Sequence, residues 1–201
     1  MKKISFLLIV CISSVWWSCG GVPPTFYYRI DYTLPATDDT GHAIPVTLGI
    51  GRFDATSLYE GDRIVYRKSR YEVNYYNYRR WVAAPQKIVT EKIYSHIKKS
   101  GLFKDVVRLP SSMQPDYVLA GQLQAFEEWD EGESWFGLVT IEFTLKATAS
   151  GIIIWDKTFS EKTKSLAKKP VDVVQAISHS LQVVTVSAVN EISKVLRKSG
   201  H

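Results

Sequence analysis

The apolar residues between Val171 and Leu196 constrain the fold more strongly than any other part of the sequence. They recur every three or four positions, as Val174, Ile177, Leu181, Val184, Ala188, Ile192 and Leu196. This spacing places them along one side of a long α-helix, which we predict to end at Gly200. Such a helix is stable only when its apolar side packs against another element, so the rest of the chain must supply a matching surface.

A second amphipathic helix is predicted from Pro85 to Gly101. Proline fits the first helical turn, where its missing N–H is not needed, and glycine fits the left-handed residue that follows a helix. Between these two residues Val89, Ile93 and Ile97 recur every four positions. They form the apolar side of the helix.

Segments rich in β-branched and aromatic residues surround the shorter helix and are typical of strands. The predicted strands are Phe26–Leu34, Val46–Phe53, Arg63–Arg67, Tyr71–Tyr75, Leu102–Val107, Tyr117–Phe126, Leu138–Ala149 and Ile152–Phe159. A loop is predicted from Pro35 to Pro45, and the acidic run from Glu127 to Glu133 is predicted to be an exposed hairpin tip. The order strands, helix, strands, helix predicts a single α+β domain, in which an antiparallel or mixed sheet carries both helices on one face.

Composition excludes several classes of protein. The 201 residues are 45% hydrophobic and 22% charged, which is ordinary for a globular domain and excludes disordered, collagen-like and multi-span membrane chains. Both cysteines, Cys11 and Cys19, fall within the first twenty residues. The rest of the chain therefore has no thiol for an internal disulfide or a thiolate metal site.

The N-terminus is typical of a secretory signal. Lys2 and Lys3 precede an apolar run from Ile4 to Val10, which is too short to cross a bilayer core of about 30 Å as a permanent helix. The segment Trp16-Trp17-Ser18-Cys19-Gly20-Gly21 resembles the lipobox of bacterial lipoproteins, except that Trp16 stands where an aliphatic residue is usual.

The lipobox resemblance implies cleavage before Cys19 and acylation of that residue. Residues 1–18 would form the signal peptide, residues 19–25 a short lipid-anchored tether, and residues 26–201 the folded domain. Two or more acyl chains anchor a protein stably, whereas one chain is marginal. Gly20 is not the aspartate that retains many such proteins at the inner membrane, so the resemblance implies the outer membrane, facing the periplasm. The alternative is that Cys19 is an ordinary residue of a soluble secreted protein.

Aromatic and basic side chains are interleaved from Tyr66 to Trp81, a segment that we call the aromatic and basic block. Its sixteen residues include six aromatic and five basic side chains, too many for one buried face of two short strands. Because Tyr, Trp and Arg are enriched where proteins contact partners, we predict a partner-binding surface. Its predicted residues are Tyr66, Arg67, Tyr71, Tyr75, Tyr78, Arg79 and Trp81. Export excludes nucleic acid as the partner and leaves a protein or lipid headgroups, while coverage of the domain's own sheet edge is the alternative.

Candidate catalytic and metal-binding residues are sparse. The histidines, which are His42, His96, His179 and His201, show no metal-ligand spacing, and the sequence has no nucleophile motif or phosphate-binding loop. Gly49 and Gly51 fit a strand feature better than a phosphate cradle. We therefore predict no enzymatic activity, no metal and no cofactor.

Five segments carry a resemblance to a known family, namely Val46–Phe53, Leu58–Arg67, Tyr71–Val73, Tyr78–Pro85 and Ser100–Lys104. Together they resemble the ABC-type transport auxiliary lipoprotein family. The similarity covers Tyr27 to Leu196 and is most specific between Leu58 and Pro85. Its matching positions in this part are Leu58, Tyr59, Gly61, Asp62, Tyr66, Tyr71, Tyr78, Trp81 and Pro85.

This resemblance implies a non-catalytic lipoprotein of an MCE-type intermembrane lipid transport system. Such a protein contacts an MCE-family periplasmic protein and docks the transport assembly to the outer membrane. The implied partners are therefore that protein and the membrane, with a homo-oligomer as a further expectation by analogy with ring-forming MCE proteins. Two alternatives stay open, namely a periplasmic carrier that shelters an acyl chain itself, and an envelope hydrolase.

Overall fold

The computed structural model describes residues 21–34 and 43–198. The predicted signal peptide, Cys19 and the predicted helix end at Gly200 lie outside these residues. Most of the loop predicted from Pro35 to Pro45 lies outside them as well.

The described elements follow the predicted order of strands, helix, strands, helix. They are β1 (Phe26–Tyr28), β2 (Ile44–Ala55), β3 (Arg63–Arg67), β4 (Asn74–Trp81), α1 (Pro85–Ser100), β5 (Phe103–Arg108), β6 (Tyr117–Glu131), β7 (Ser134–Ala147), β8 (Ile153–Lys164) and α2 (Pro170–Lys198). A short 3-10 turn, Ser57–Tyr59, lies between β2 and β3. The predicted α+β class is confirmed.

The strands form one mixed sheet of eight strands, with β6 near its centre. On one side of β6, β7 and then β8 follow in antiparallel pairs. The other side of β6 is shared, because β2 pairs in parallel with its first half and β3 in parallel with its second half. β5 lies beyond β2, whereas β4 and then β1 lie beyond β3. The sheet therefore divides into two branches, and the aromatic and basic block belongs to the branch of β3, β4 and β1.

Both helices pack on one face of the sheet, as predicted. α1 lies against β2 and β5, and α2 lies against β7 and β8. The apolar side chains at the centre of each predicted stripe are at most 1% exposed, namely Val89, Ile93, Ile97, Ile177, Leu181, Val184, Ala188, Ile192 and Leu196. Burial of these side chains between helix and sheet provides the main favourable term for folding.

Only the end of the acidic run, Glu131 to Glu133, is an exposed hairpin tip, which corrects the sequence prediction for Glu127 to Asp130. β6 continues through the run to Glu131. Glu127 is fully buried, Glu128 is 1% exposed and Asp130 is 9% exposed. Carboxylates are buried only where other groups bond to them, and the bonding partners of the first two are described below.

Two strands on the β3 side also differ from their predicted bounds. The strand predicted at Tyr71–Tyr75 runs instead over Asn74–Trp81, because Ser69 Oγ accepts hydrogen bonds from the N–H groups of Tyr71 and Glu72 and holds them in the turn. β1 ends at Tyr28 rather than Leu34, since its partner strand β4 ends directly opposite.

Candidate functional site

The aromatic and basic block forms the end of β3, the following turn and all of β4. The register of the two strands shifts between the pairs Arg63–Arg80 and Val65–Tyr75, which leaves extra residues in β4. A bulge of this kind redirects the side chains that it contains. Tyr78, within the bulge, is 41% exposed.

Glu127 joins three elements on the sheet face that the helices leave open. Tyr59 Oη donates a hydrogen bond of 2.7 Å to its carboxylate, and Arg67 Nε donates another of 2.9 Å. A terminal nitrogen of Arg67 also contacts this carboxylate. The Arg67 guanidinium carbon lies 5.0 Å from the centre of the Trp129 ring. These contacts tie β6 to β3 and to the 3-10 turn, so the charge of Arg67 is already used within the domain.

Glu128 makes a similar connection on the helix-bearing face, because neighbouring side chains of a strand point to opposite faces. Tyr76 Oη donates a hydrogen bond of 2.8 Å to its carboxylate. The Tyr76 ring also lies 4.7 Å from the Tyr66 ring, between centroids, and 4.6 Å from the guanidinium carbon of Arg79. Tyr66 and Arg79 therefore pack around a buried carboxyl group.

Burial raises the pKa of Glu128 to about 7, because the carboxylate loses its hydration in this position. The hydrogen bond from Tyr76 lowers this pKa, and the charge of Asp130 raises it. Burial also raises the pKa of Asp130, although Lys68 and Lys168 act in the opposite direction. The two carboxyl groups therefore keep a proton at higher pH than exposed ones would.

The free energy of unfolding is expected to fall as pH rises from about 4.5 to about 7. In the unfolded chain the pKa of Glu128 is near 4.5, so between pH 4.5 and 7 the folded protein binds more protons than the unfolded chain. The protonated carboxyl stabilises the fold, and this stabilisation is lost as the pH rises through the folded pKa. The loss amounts to about 3 kcal/mol at most. Urea unfolding at several pH values should show this slope in the wild type and little of it in Glu128→Gln. Glu133→Gln is the control and should keep the slope, because the Glu133 side chain is 97% exposed. An unchanged slope in Glu128→Gln would contradict the raised pKa of Glu128.

The predicted partner-binding residues divide into internal and exposed groups. Tyr66, Arg67 and Arg79 contribute to the carboxylate networks, and Tyr75 lies with its ring centre 4.5 Å from the guanidinium carbon of Arg63. The most exposed members are Tyr71, at 96%, and Tyr78, at 41%. The block therefore supplies both structural contacts and accessible rings.

Trp81 lies in the core, which corrects its assignment to the partner-binding surface. It is 1% exposed, and its ring centroid lies 5.0 Å from that of Phe126. A large ring in this position contributes packing energy and is out of reach of a partner.

Tyr78 and Arg79 line a pocket of about 380 Å³ at the outer edge of β4. Its other lining residues are Pro23, Pro24, Phe26, Tyr76 and Asn77. β1 pairs only with residues 79–81 of β4, so within the described chain the earlier part of that edge has no neighbouring strand. Aromatic rings, a guanidinium and open backbone groups are the features with which proteins bind an extended peptide segment.

Sequence reasoning missed the residues that complete the two networks. They are Tyr76, Glu127, Glu128 and Trp129, together with Tyr59, which was named only as a position that matches the family. A signal for the longer strand was present, because no glycine or proline stands between Phe126 and Gly132. A strand extended to that glycine would have placed neighbouring carboxylates on opposite faces.

Over residues 21–34 and 43–198, no three His, Cys, Asp or Glu side chains are grouped so that they could hold a metal ion. Neither of the helices described above combines the length and apolar character needed to cross a bilayer.

Solved structures share the fold. XCC0632 from Xanthomonas campestris superimposes with a TM-score of 0.76 at 18% sequence identity, covering 87% of this chain and 98% of that one. CT253 from Chlamydia trachomatis superimposes with a TM-score of 0.51 at 7% identity, covering 76% and 98% of the two chains. At these identities the similarity concerns the fold alone.

Sequence comparison identifies the family. No curated protein sequence matches the chain. The sequence model that describes the ABC-type transport auxiliary lipoprotein component matches residues 28–189, from β1 to the last third of α2. That span contains both branches of the sheet, both carboxylate networks and most of the pocket at the edge of β4. The chain therefore belongs to the family of ABC-type transport auxiliary lipoprotein components.

Proposed function

We propose that this protein is a non-catalytic, lipid-anchored periplasmic component of an MCE-type intermembrane lipid transport system. In this role it docks the transport assembly to the outer membrane. The observation that carries the proposal is the family match over residues 28–189. The lipobox-like segment ending at Cys19 supports anchoring, because two or more acyl chains hold a protein stably at a bilayer.

The contacts of the buried acidic residues support a structural role over a catalytic one. Glu127 is bonded to Tyr59 and Arg67, and Glu128 to Tyr76, so these buried carboxyl groups join β6 to β3, to β4 and to the 3-10 turn. Both side chains are at most 1% exposed and would not reach a substrate. The networks therefore hold β3 and β4 against β6 in a defined shape on which a partner can dock.

The pocket at the edge of β4 is the surface that we assign to the MCE-family protein. Phe26 and Tyr78 are 56% and 41% exposed, and Arg79 is held over the Tyr76 ring. Rings that stand at a pocket mouth while their neighbours are fixed lose little conformational entropy when a partner binds. This arrangement is typical of an interface centre.

The acyl-carrier alternative has less support. Ile177 and Leu181 on α2 and Phe143 on the sheet are each fully buried, so side chains already fill the space between helix and sheet. A carrier would need that space for an acyl chain, because a packed interior has few voids larger than a water molecule.

Replacement of Phe26 and Tyr78 by Ala together is expected to weaken co-purification with a co-expressed MCE-family protein by about tenfold or more. The reason is that exposed rings at an interface centre each contribute of the order of 1–2 kcal/mol. Affinity capture after mild crosslinking, with quantification of the captured MCE-family protein, measures the effect.

The matched control replaces Met113 and Ile152 by Ala. These two residues are 48% and 62% exposed and lie at the other end of the sheet. This pair should bind like the wild type, and both double variants should melt near the wild-type temperature. Equal capture by the Phe26 and Tyr78 variant would remove the pocket from the proposal. A wild-type protein that captures no MCE-family partner would overturn the proposed function itself.

A further inference from the structure

Three connections of the sheet lie together at one end of the domain. β3 and β6 are parallel, so their last residues lie at the same end, where β4 and β7 begin. β8 is antiparallel to β7 and therefore finishes there, and α2 begins nearby. We call this the tether end. It comprises the β3–β4 turn (68–73), the β6–β7 turn (132–133) and the β8–α2 loop (165–169).

Contacts between these connections support the grouping. Lys168 Nζ, in the β8–α2 loop, donates a hydrogen bond of 2.7 Å to Glu133 in the β6–β7 turn. Asp130 at the end of β6 interacts electrostatically with both Lys68 and Lys168, which belong to different connections. The three segments therefore form one continuous surface.

The chain that leads back to Cys19 reaches this same end. β1 runs parallel to β4, with Phe26 opposite Arg79, so the residues before Phe26 pass along β4 toward its first residue. Pro23 and Pro24 lie in that direction, against the β4 edge. From Cys19 to Pro23 an extended chain spans at most about 14 Å. An acyl group on Cys19 would consequently hold Pro23, and with it the side of the domain that faces the tether end, close to the bilayer.

The tether end and the segment that leads toward it carry the most exposed apolar side chains of the described chain. Among the large hydrophobic residues of the described chain, the three highest exposures are those of Tyr71 (96%), Leu166 (88%) and Val22 (83%). Tyr71 is in the β3–β4 turn, Leu166 is in the β8–α2 loop, and Val22 directly precedes the two prolines. Three separate segments therefore project apolar groups beside the anchor.

Basic residues surround these side chains. The three connections contain four basic residues, Lys68, Arg70, Lys168 and Lys169, against two acidic ones, Glu72 and Glu133. All six are exposed. Exposed apolar tips with a surrounding excess of Lys and Arg are complementary to phospholipid headgroups and the acyl boundary beneath them.

We propose that the tether end rests directly on a phospholipid bilayer, with Tyr71 and Leu166 inserted among the headgroups and the basic residues at the lipid phosphates. The inference rests on the proposed lipid anchor at Cys19. A bilayer is favoured over a protein as the occupant because the short tether leaves little room between this end and the membrane. The sheet then stands upright on the bilayer, with the pocket at the β4 edge to one side and the β7–β8 turn farthest from the lipid.

The test uses the mature lipidated protein in vesicles of phosphatidylethanolamine and phosphatidylglycerol. Tyr71→Cys and Leu166→Cys are each labelled with an environment-sensitive fluorophore, and Ile152→Cys, in the β7–β8 turn, is the matched control. Acylation occupies the thiol of Cys19, and cleavage of the signal peptide removes Cys11. Each variant therefore has one free thiol. Circular dichroism confirms that the labelled variants are folded. The measurements are the emission wavelength and the quenching by a lipid with a spin label on its headgroup.

We expect blue-shifted emission and strong quenching for the labels at positions 71 and 166, and neither effect at position 152. Flotation with the vesicles is measured first, because a wild-type protein that does not float has no anchor, which overturns the proposed anchoring and this inference with it. If the protein floats and the labels at 71 and 166 are not quenched, the membrane contact is refuted while the anchor stands. A blue shift without quenching would mean that protein, such as a second copy, covers these side chains, and would also refute the proposal.

Discussion

Cys19→Ala is expected to release the protein from the membrane fraction into the soluble periplasmic fraction. Without the thiol the diacylglyceryl group cannot be added, and the apolar run from Ile4 to Val10 is too short to serve as a stable membrane span. Each buried methylene contributes roughly 0.8 kcal/mol, so loss of two or three acyl chains removes far more binding energy than a few exposed side chains can replace. Fractionation of cell envelopes followed by immunoblotting measures the distribution.

Cys11→Ala is the matched control for this prediction. Cys11 lies inside the predicted signal peptide and should be absent from the mature protein, so this variant should fractionate like the wild type. Mass spectrometry of the mature wild-type protein should find acyl groups on the N-terminal cysteine. Sedimentation of Cys19→Ala with the outer membrane at the wild-type level would contradict the anchor.

Gly137→Ala is expected to destabilise the domain by about 3 kcal/mol, which is the upper end of the range typical of overpacking. A Cβ atom at this position in β7 would lie 2.3 Å from the backbone nitrogen of Ile177 and 2.6 Å from the carbonyl carbon of Ala176. Both atoms belong to the backbone of α2, which cannot rotate away as a side chain can. The whole helix must therefore retreat from the sheet and loosen the contacts along its apolar stripe.

The predicted effect of Gly137→Ala corresponds to a fall in melting temperature of about 10 °C for a domain of this size. Thermal unfolding followed by circular dichroism measures it. Gly61→Ala is a suitable control, because a Cβ atom there meets nothing within 4 Å, and its melting temperature should stay close to that of the wild type. Equal melting temperatures for the two variants would show that α2 does not pack on β7 as closely as described.

Tyr71 illustrates how the tertiary structure redistributes the predicted site. The sequence placed it with Tyr66 and Tyr78 in one partner-binding segment, since all three are aromatic residues close together in the chain. In the fold Tyr66 packs against Tyr76, Tyr78 lines the pocket, and Tyr71 stands at the tether end. Three residues close together in sequence therefore lie in three different places, namely the internal contacts of the domain, the proposed partner surface and the proposed membrane contact.

Local patterns were sufficient to predict both helices and the fold class. The spacing of Val89 to Ile97, the boundary residues Pro85 and Gly101, and the long stripe ending at Leu196 depend only on helix geometry. Such periodicity is visible in any chain whose helices have one buried side, because the side chains must repeat with the helical turn. The family resemblance between Leu58 and Pro85 also depends on the local sequence alone, and it agrees with the family match over residues 28–189.

The burial of Glu127 and Glu128 could not be predicted from local patterns. Their partners, Tyr59, Arg67 and Tyr76, come from segments about fifty to seventy residues earlier in the chain. A carboxylate is exposed by default and becomes buried only when distant donors converge on it. The sequence by itself therefore determined the helices and the fold class, and it predicts the lipidation site at Cys19, because each of these depends on residues close together in the chain. Only the tertiary structure decided which aromatic and acidic side chains are internal and which are exposed, because that depends on how β6 pairs with β3 and β7.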